Sequence, residues 1–214
     1  MKTSNSLMTL LICLAFICVS CDDEPEISPP DSNASALLPE SDAALEKSNT
    51  KASKKAPSPS YQFLIYSGIL CEFFPCPGFD QAAASNGDII ELSGQGTLSV
   101  HPKSASGGGT FAHRNANGDI LGMGNWTATD LISFKEFGPS PVRPPEWRAG
   151  ASNIRIHLVD DLSGAEFDAI LKLDCILPEA KVPPSLQEGL RVNILGSLNF
   201  NQLILGPTLF IIQE

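Results

Sequence analysis

Three histidines and six cysteines stand among the 214 residues, so the chemistry open to this chain is quickly enumerated. His101, His113 and His157 lie outside any GxSxG, HExxH or similar motif that would join them to a nucleophile or a metal. Gly107-Gly108-Gly109 lacks the lysine and the following helix of a phosphate loop, and reads as a flexible turn before a strand. His113 shares an alternation face with Phe111. If Phe111 is core, His113 points inward, either as a core histidine bonded to a neighbour or as the polar handle of a barrel cavity. His157 faces Glu166 across a turn, an acid–base pair in principle and otherwise simple cross-strand pairing. Asp160-Asp161 falls short of the several oxygen ligands that calcium requires. No metal and no cofactor is expected.

Cys71, Cys76 and Cys175 are the three cysteines beyond residue 57, an odd set that in an oxidising compartment would leave one bridge and one spare thiol. The loop Cys71-Glu-Phe-Phe-Pro-Cys76 is flanked by prolines and its ends can meet. Two pairings stay open: Cys71 with Cys76, or either of them with Cys175. Cys175 falls on the apolar side of its run, where a free cysteine behaves as a small hydrophobe. No CxxC spacing supports zinc. The stretch 138–150 carries four prolines with Arg143, Trp147 and Arg148. Tryptophan and arginine are the residue types that dominate binding hot spots, so these three are candidate binding residues. The alternative is that Trp147 packs down over the end of a sheet.

The remaining reactive position is Cys21. It follows Lys2, an apolar run from Leu7 to Val19, and Ser20. The apolar run is roughly 13 residues, short of the ~20 that a helix needs to span a bilayer. The stretch resembles a lipobox, the cleavage motif of bacterial lipoproteins, with Val19 and Ser20 matching and Cys18 departing from the usual leucine. The resemblance implies removal of residues 1–20, lipidation of Cys21 and anchoring to the outer membrane of the cell envelope. Several acyl chains on one cysteine make a stable anchor, whereas a single chain is marginal. Asp22-Asp23-Glu24 resembles the surface-export signal of some Gram-negative lipoproteins, which implies display on the outer face; the periplasmic leaflet is the alternative.

Residues 21–57 are built from Pro, Ser, Ala, Asp, Glu and Lys without an aromatic residue. Such a segment cannot bury enough apolar area to offset its chain entropy and is expected to be a disordered linker. Its root-mean-square reach is roughly 30–35 Å, enough to hold a small domain clear of headgroups. The formal net charge is −10, and the folded part has no run of Lys or Arg, which argues against nucleic-acid partners.

Residues 58–214 read as one all-β domain, an antiparallel sandwich or barrel of about nine strands. The expected strands are 61–70, 88–92, 97–100, 110–114, 119–129 continuing through 137, 152–159, 165–175, 190–195 and 199–212. Asn117-Gly118 between two β-type runs is a strong hairpin signal. Ile154, Ile156 and Leu158 alternate with polar residues, as do Ala165, Phe167, Ala169, Leu171, Leu173 and Cys175, so one face is buried and the other wet. A turn at 160–163 would set His157 opposite Glu166 and Arg155 opposite Asp168.

The stretch 107–129, with Gly-Gly-Gly-Thr-Phe, His113, Asn117-Gly118 and Trp-Thr-Ala-Thr, is similar to a family of uncharacterised exported bacterial β domains. That likeness implies one β domain and no particular activity. The functional expectation is an envelope lipoprotein whose β domain binds a protein, glycan or small apolar ligand without catalysis. One alternative is a small barrel with an apolar ligand inside and His113 in its lining. The other is a hydrolase or cyclase using His113 or His157 with a carboxylate in a cleft. A ligand barrel predicts a dry or partly apolar cavity lined by His113, whereas an interaction module predicts no such cavity and an exposed Trp147.

Overall fold

The structure, a computed structural model, describes residues 58–213. The segments expected to be a signal peptide (1–20), a lipidation site (Cys21) and a linker (21–57) lie outside the described residues. The described chain is all-β: ten antiparallel strands and one short 3-10 helix, Gly68–Glu72. The strands are β1 Ser60–Ile65, β2 Asp80–Ala84, β3 Ile89–Ser99, β4 Ser104–Arg114, β5 Ile120–Gly138, β6 Trp147–Asp160, β7 Glu166–Cys175, β8 Gly189–Ile194, β9 Asn199–Leu205 and β10 Thr208–Gln213.

Every strand is paired along both edges, so the sheet closes on itself. Long strands β3 to β6 form one continuous wall. At its β3 edge the first half pairs with β2 and the second with β1. At its β6 edge, Trp147 and Arg148 pair with β10, and residues 150–159 pair with β7. The circuit is completed twice, by β1 with β10 and by β7, β8, β9 and β2 in turn. Closure removes the unpaired edges that would otherwise recruit another chain.

The interior is built around two aromatic rings lying on glycine. Phe63 and Trp126 stack with centroids 6.3 Å apart. Facing pairs Gly94–Gly109 and Gly96–Gly107 on β3 and β4 leave the floor beneath them bare. A Cβ on Gly96 would stand 2.5 Å from the Phe63 ring, and one on Gly94 would stand 2.6 Å from Trp126. The glycines therefore admit the rings, whose burial is a large apolar contribution. The Trp126 indole N–H donates to the Ser93 carbonyl oxygen at 3.0 Å, which satisfies its polar group.

Several expectations are corrected here. Gly107-Gly108-Gly109 is strand, not turn, because it is flanked on both edges by β3 and β5. The runs 88–92 and 97–100 are one strand through Gly94 and Gly96. The first run stops at Ile65, where Tyr66 takes φ 44° and the 3-10 turn begins. The last run breaks at Gly206-Pro207 into β9 and β10, since proline has no N–H for a ladder. Strand β2, Asp-Gln-Ala-Ala-Ala, was not anticipated; its alanines have weak β propensity, but β3 and β9 clasp it. Strand β5 runs unbroken from Ile120 to Gly138, as the alternation through 127–137 implied.

In the β6–β7 hairpin Ile154, Ile156, Leu158, Ala169, Leu171, Leu173 and Cys175 are buried as expected, but Phe167 is 40% exposed and Ala165 only half-buried, because β8 covers β7 only from Ala169 onward. Its register differs. His157 lies opposite Asp168, and Arg155 opposite Ile170. The turn is longer than expected: Asp160 and Ala165 close the ladder at 2.8 Å, with Gly164 at φ 72°. Asp160 accepts from the Met123 and Leu162 amides and from the Ser163 hydroxyl, so its carboxylate is spent on holding the turn.

Candidate functional site

Strand β6 changes partner between Arg148 and Gly150, from β10 to β7. At this fork the two partner strands diverge, and the loops around them border a solvent-open cavity of about 440 Å³. Three segments of chain make its walls. Leu70, Phe73 and Phe74 come from the 3-10 turn and the loop after it. Arg143 and Trp147 come from the β5–β6 connection, and Ile176 to Pro178 from the end of β7. Glu188, Gly206 and Thr208 form the polar part of its floor.

Local sequence explains how each wall is held. Cys71 is disulfide-bonded to Cys76, which pins the Phe73-Phe74 loop at both ends. The two phenylalanines are 57% and 41% exposed, an unusual expense of apolar surface unless something covers it. The Phe73 ring meets the edge of Trp147 with centroids 5.9 Å apart. In the β5–β6 connection, the Trp147 amide donates to the Pro144 carbonyl at 3.0 Å, and the Val142 amide to the buried Ser140 hydroxyl at 3.2 Å. These bonds set Arg143 between fixed neighbours. Among the described residues its guanidinium makes no ion pair.

The floor is acidic. Glu188 accepts from the Ile176 amide at one oxygen, and from the Thr208 amide and hydroxyl at the other, both 2.9 Å. Burial pushes its carboxyl up to about 7, with Asp174 adding to the shift. Behind Gly206 sits Asp80, fully buried, whose carboxyl occupies the space a side chain on Gly206 would need. Neither of its oxygens makes a hydrogen bond of normal geometry. Burial pushes Asp80 up to about 8; the nearby Gln81 amide works against that and the Glu188 charge adds to it. Asp174, also buried, is paired with Lys172 at 2.8 Å and Arg191 at 2.7 Å.

The sequence-derived candidates separate in space. Arg143 and Trp147 both line the cavity. Trp147 is buried rather than exposed, so it serves as a wall and not as a protruding anchor. Arg148 points elsewhere: its Nε is 2.9 Å from Glu136, and its terminal nitrogen donates to the Pro145 carbonyl. His113 faces inward beside Phe111, but it contacts Asp88 at 3.1 Å and the edge of Phe200, away from the cavity. His157 contacts Asp168 at 3.1 Å and Glu166 at 3.3 Å on the outer face. The hydrogen bond to Asp168 raises its pKa, with Glu166 adding to it. His113 and His157 thus each have a carboxylate within reach, and neither lines the cavity, which leaves general acid–base work without a substrate position there. Cys175 is a free, buried thiol whose pKa burial raises well above the ordinary value, the opposite of an activated nucleophile. Among the described residues no three His, Cys, Asp or Glu are grouped to hold a metal ion.

Sequence reasoning missed Phe73, Phe74, Asp80 and Glu188 as site residues. Phe73-Phe74 offered a signal, two large apolar residues inside a loop that cysteines can close. Asp80 and Glu188 offered none. Comparison with protein-family models, with curated proteins and with solved structures yields no match.

Proposed function

We propose that this chain is an envelope lipoprotein, anchored through Cys21, whose β domain is a non-catalytic binding module. Its ligand site is the aromatic-lined cavity at the β6 fork. The observation that carries the reading is the pair of exposed phenylalanines, held by a disulfide opposite Trp147 around 440 Å³ of space. That volume falls within the roughly 300–1,000 Å³ of small-molecule sites, which are mostly apolar with a few placed polar groups. The anchor rests on the sequence around Cys21. The barrel interior is filled by Phe63, Trp126 and their aliphatic neighbours, so the apolar ligand belongs at the fork rather than beside His113.

Two measurements test this reading. Metabolic labelling with a palmitate analogue should mark the wild type and leave Cys21→Ser unlabelled; an unlabelled wild type removes the anchor. The neutral apolar fluorophore N-phenyl-1-naphthylamine should brighten on binding the protein and lose that response in the double variant Phe73→Ser, Phe74→Ser. A wild type that never brightens the dye removes the cavity as a binding site.

A further inference from the structure

The ligand class follows from what the cavity does with its charges, and rests on the binding role proposed above. Its two ionisable groups are not equivalent. Both oxygens of Glu188 are already occupied by the Ile176 amide and by the amide and hydroxyl of Thr208. With its carboxyl raised to about 7, Glu188 carries only part of a negative charge near neutrality. Arg143 is in the reverse position. A guanidinium stays charged throughout the physiological range and presents a planar fork of donors. Among the described residues no carboxylate lies within ion-pair distance of it. Arg148, five residues along the same segment, is tied to Glu136, so Arg143 is the cation left to the cavity.

An unpaired guanidinium at the rim of an apolar space selects for an anion attached to an apolar body. A cationic head would meet Arg143 as a like charge. A neutral head would still accept a bond from the guanidinium but would forgo the bidentate pairing and the opposite charge that a carboxylate brings. The chain's net charge of −10 opposes anions at long range. Salt screens that field beyond about 8 Å at physiological ionic strength, so the adjacent Arg143 decides.

We infer that the cavity takes a free single-chain amphiphilic carboxylate, its tail against Phe73, Phe74 and Trp147 and its head on Arg143. Trp147 then doubles as the reporter. The chain has two tryptophans, and Trp126 is sealed inside the barrel at 2% exposure, so a ligand-induced fluorescence change belongs to Trp147.

The test uses the full chain carrying Cys21→Ser, which dispenses with detergent, titrated at pH 6.5 with decanoate, decanol and decyltrimethylammonium. Decanoate should bind about tenfold more tightly than decanol, and the cationic amphiphile more weakly than either. Arg143→Gln, a change at an exposed side chain, should erase the preference for decanoate and leave decanol affinity where it was. Equal binding of decanoate and decanol, or a preference that survives Arg143→Gln, overturns the head-group assignment while the cavity stands. No binding of any of the three overturns the assignment, and failure of the naphthylamine response beside it marks the loss of the binding role as well.

Discussion

Asp80 is fully buried on β2, with neither carboxylate oxygen in a hydrogen bond of normal geometry and only the Gln81 and Leu190 amides near enough to favour its charge. Burying a charged carboxylate without partners is costly, and the group responds by keeping its proton. Its pKa is 3.8 in the unfolded reference and about 8 in the fold. Between those values the unfolded chain releases a proton that the folded chain retains. The folded state then binds more protons, and stability falls as pH rises through the window. Glu188 acts in the same direction between 4.5 and about 7. The melting temperature is therefore expected to be higher at pH 5 than at pH 8, by on the order of 2–4 °C for each kcal/mol involved. Asp80→Asn should flatten that dependence and melt above the wild type at pH 8. Calorimetry at the two pH values checks this, and a wild type with the same midpoint at both would refute it.

At the scale of elements, the β6–β7 turn shows how one side chain sets a register. Alternation told which residues of β6, and of β7 from Ala169 onward, face inward, though it put the exposed Phe167 on the same face, and a slip of two residues leaves those faces unchanged. The faces were legible in Ile154, Ile156 and Leu158, and the pairing partner of His157 was not. Asp160 settles the matter by accepting from Met123, Leu162 and Ser163, and Gly164 supplies the left-handed residue that lengthens the loop. Asp160→Ala removes the acceptor and leaves the Met123 amide, at 3.0 Å in the parent, without its partner. A loss of about 1–3 kcal/mol is expected in urea denaturation, with no change in the naphthylamine response, since this turn is far along the sheet from the fork. A loss below about 0.5 kcal/mol would show that the turn holds without its aspartate.

For the molecule as a whole, closure depends on the two ends of the folded chain. Strand β1 pairs with β10 over residues 60–65 and with β3 on its other edge. The joint between β10 and β6 is narrow, Phe210 with Arg148 and Ile211 with Trp147, extended by the Ile212 amide to the Glu146 carbonyl at 2.9 Å. Contacts of such sequence separation form late, because the loop entropy must be met before they reward the chain. Deleting residues 208–213 would strip a partner from β1 and from β6 and remove Thr208 and Leu209 from the cavity. The truncated chain is expected to lose its cooperative thermal transition and to scatter light on heating, as opened edges pair between molecules. A sharp, unshifted melt by circular dichroism would mean that closure contributes little.

Short-range physics was written in the chain. Side-chain alternation along β5, β6 and β7 and the Asn-Gly turn before β5 depend on residues within a few positions of each other, and each could be read locally. The residue types Arg143 and Trp147 could also be singled out by their chemistry. Tertiary structure decided the rest. It made strands of the alanines of β2 and of three consecutive glycines, by placing a paired strand on either side. It turned Trp147 inward against Phe73 and sent Arg148 to Glu136. It also drew Asp80, Glu188 and Gly206 from three distant segments to one floor. Those outcomes depend on which segments meet when the sheet closes, and the energies that choose them belong to residues far apart in the chain.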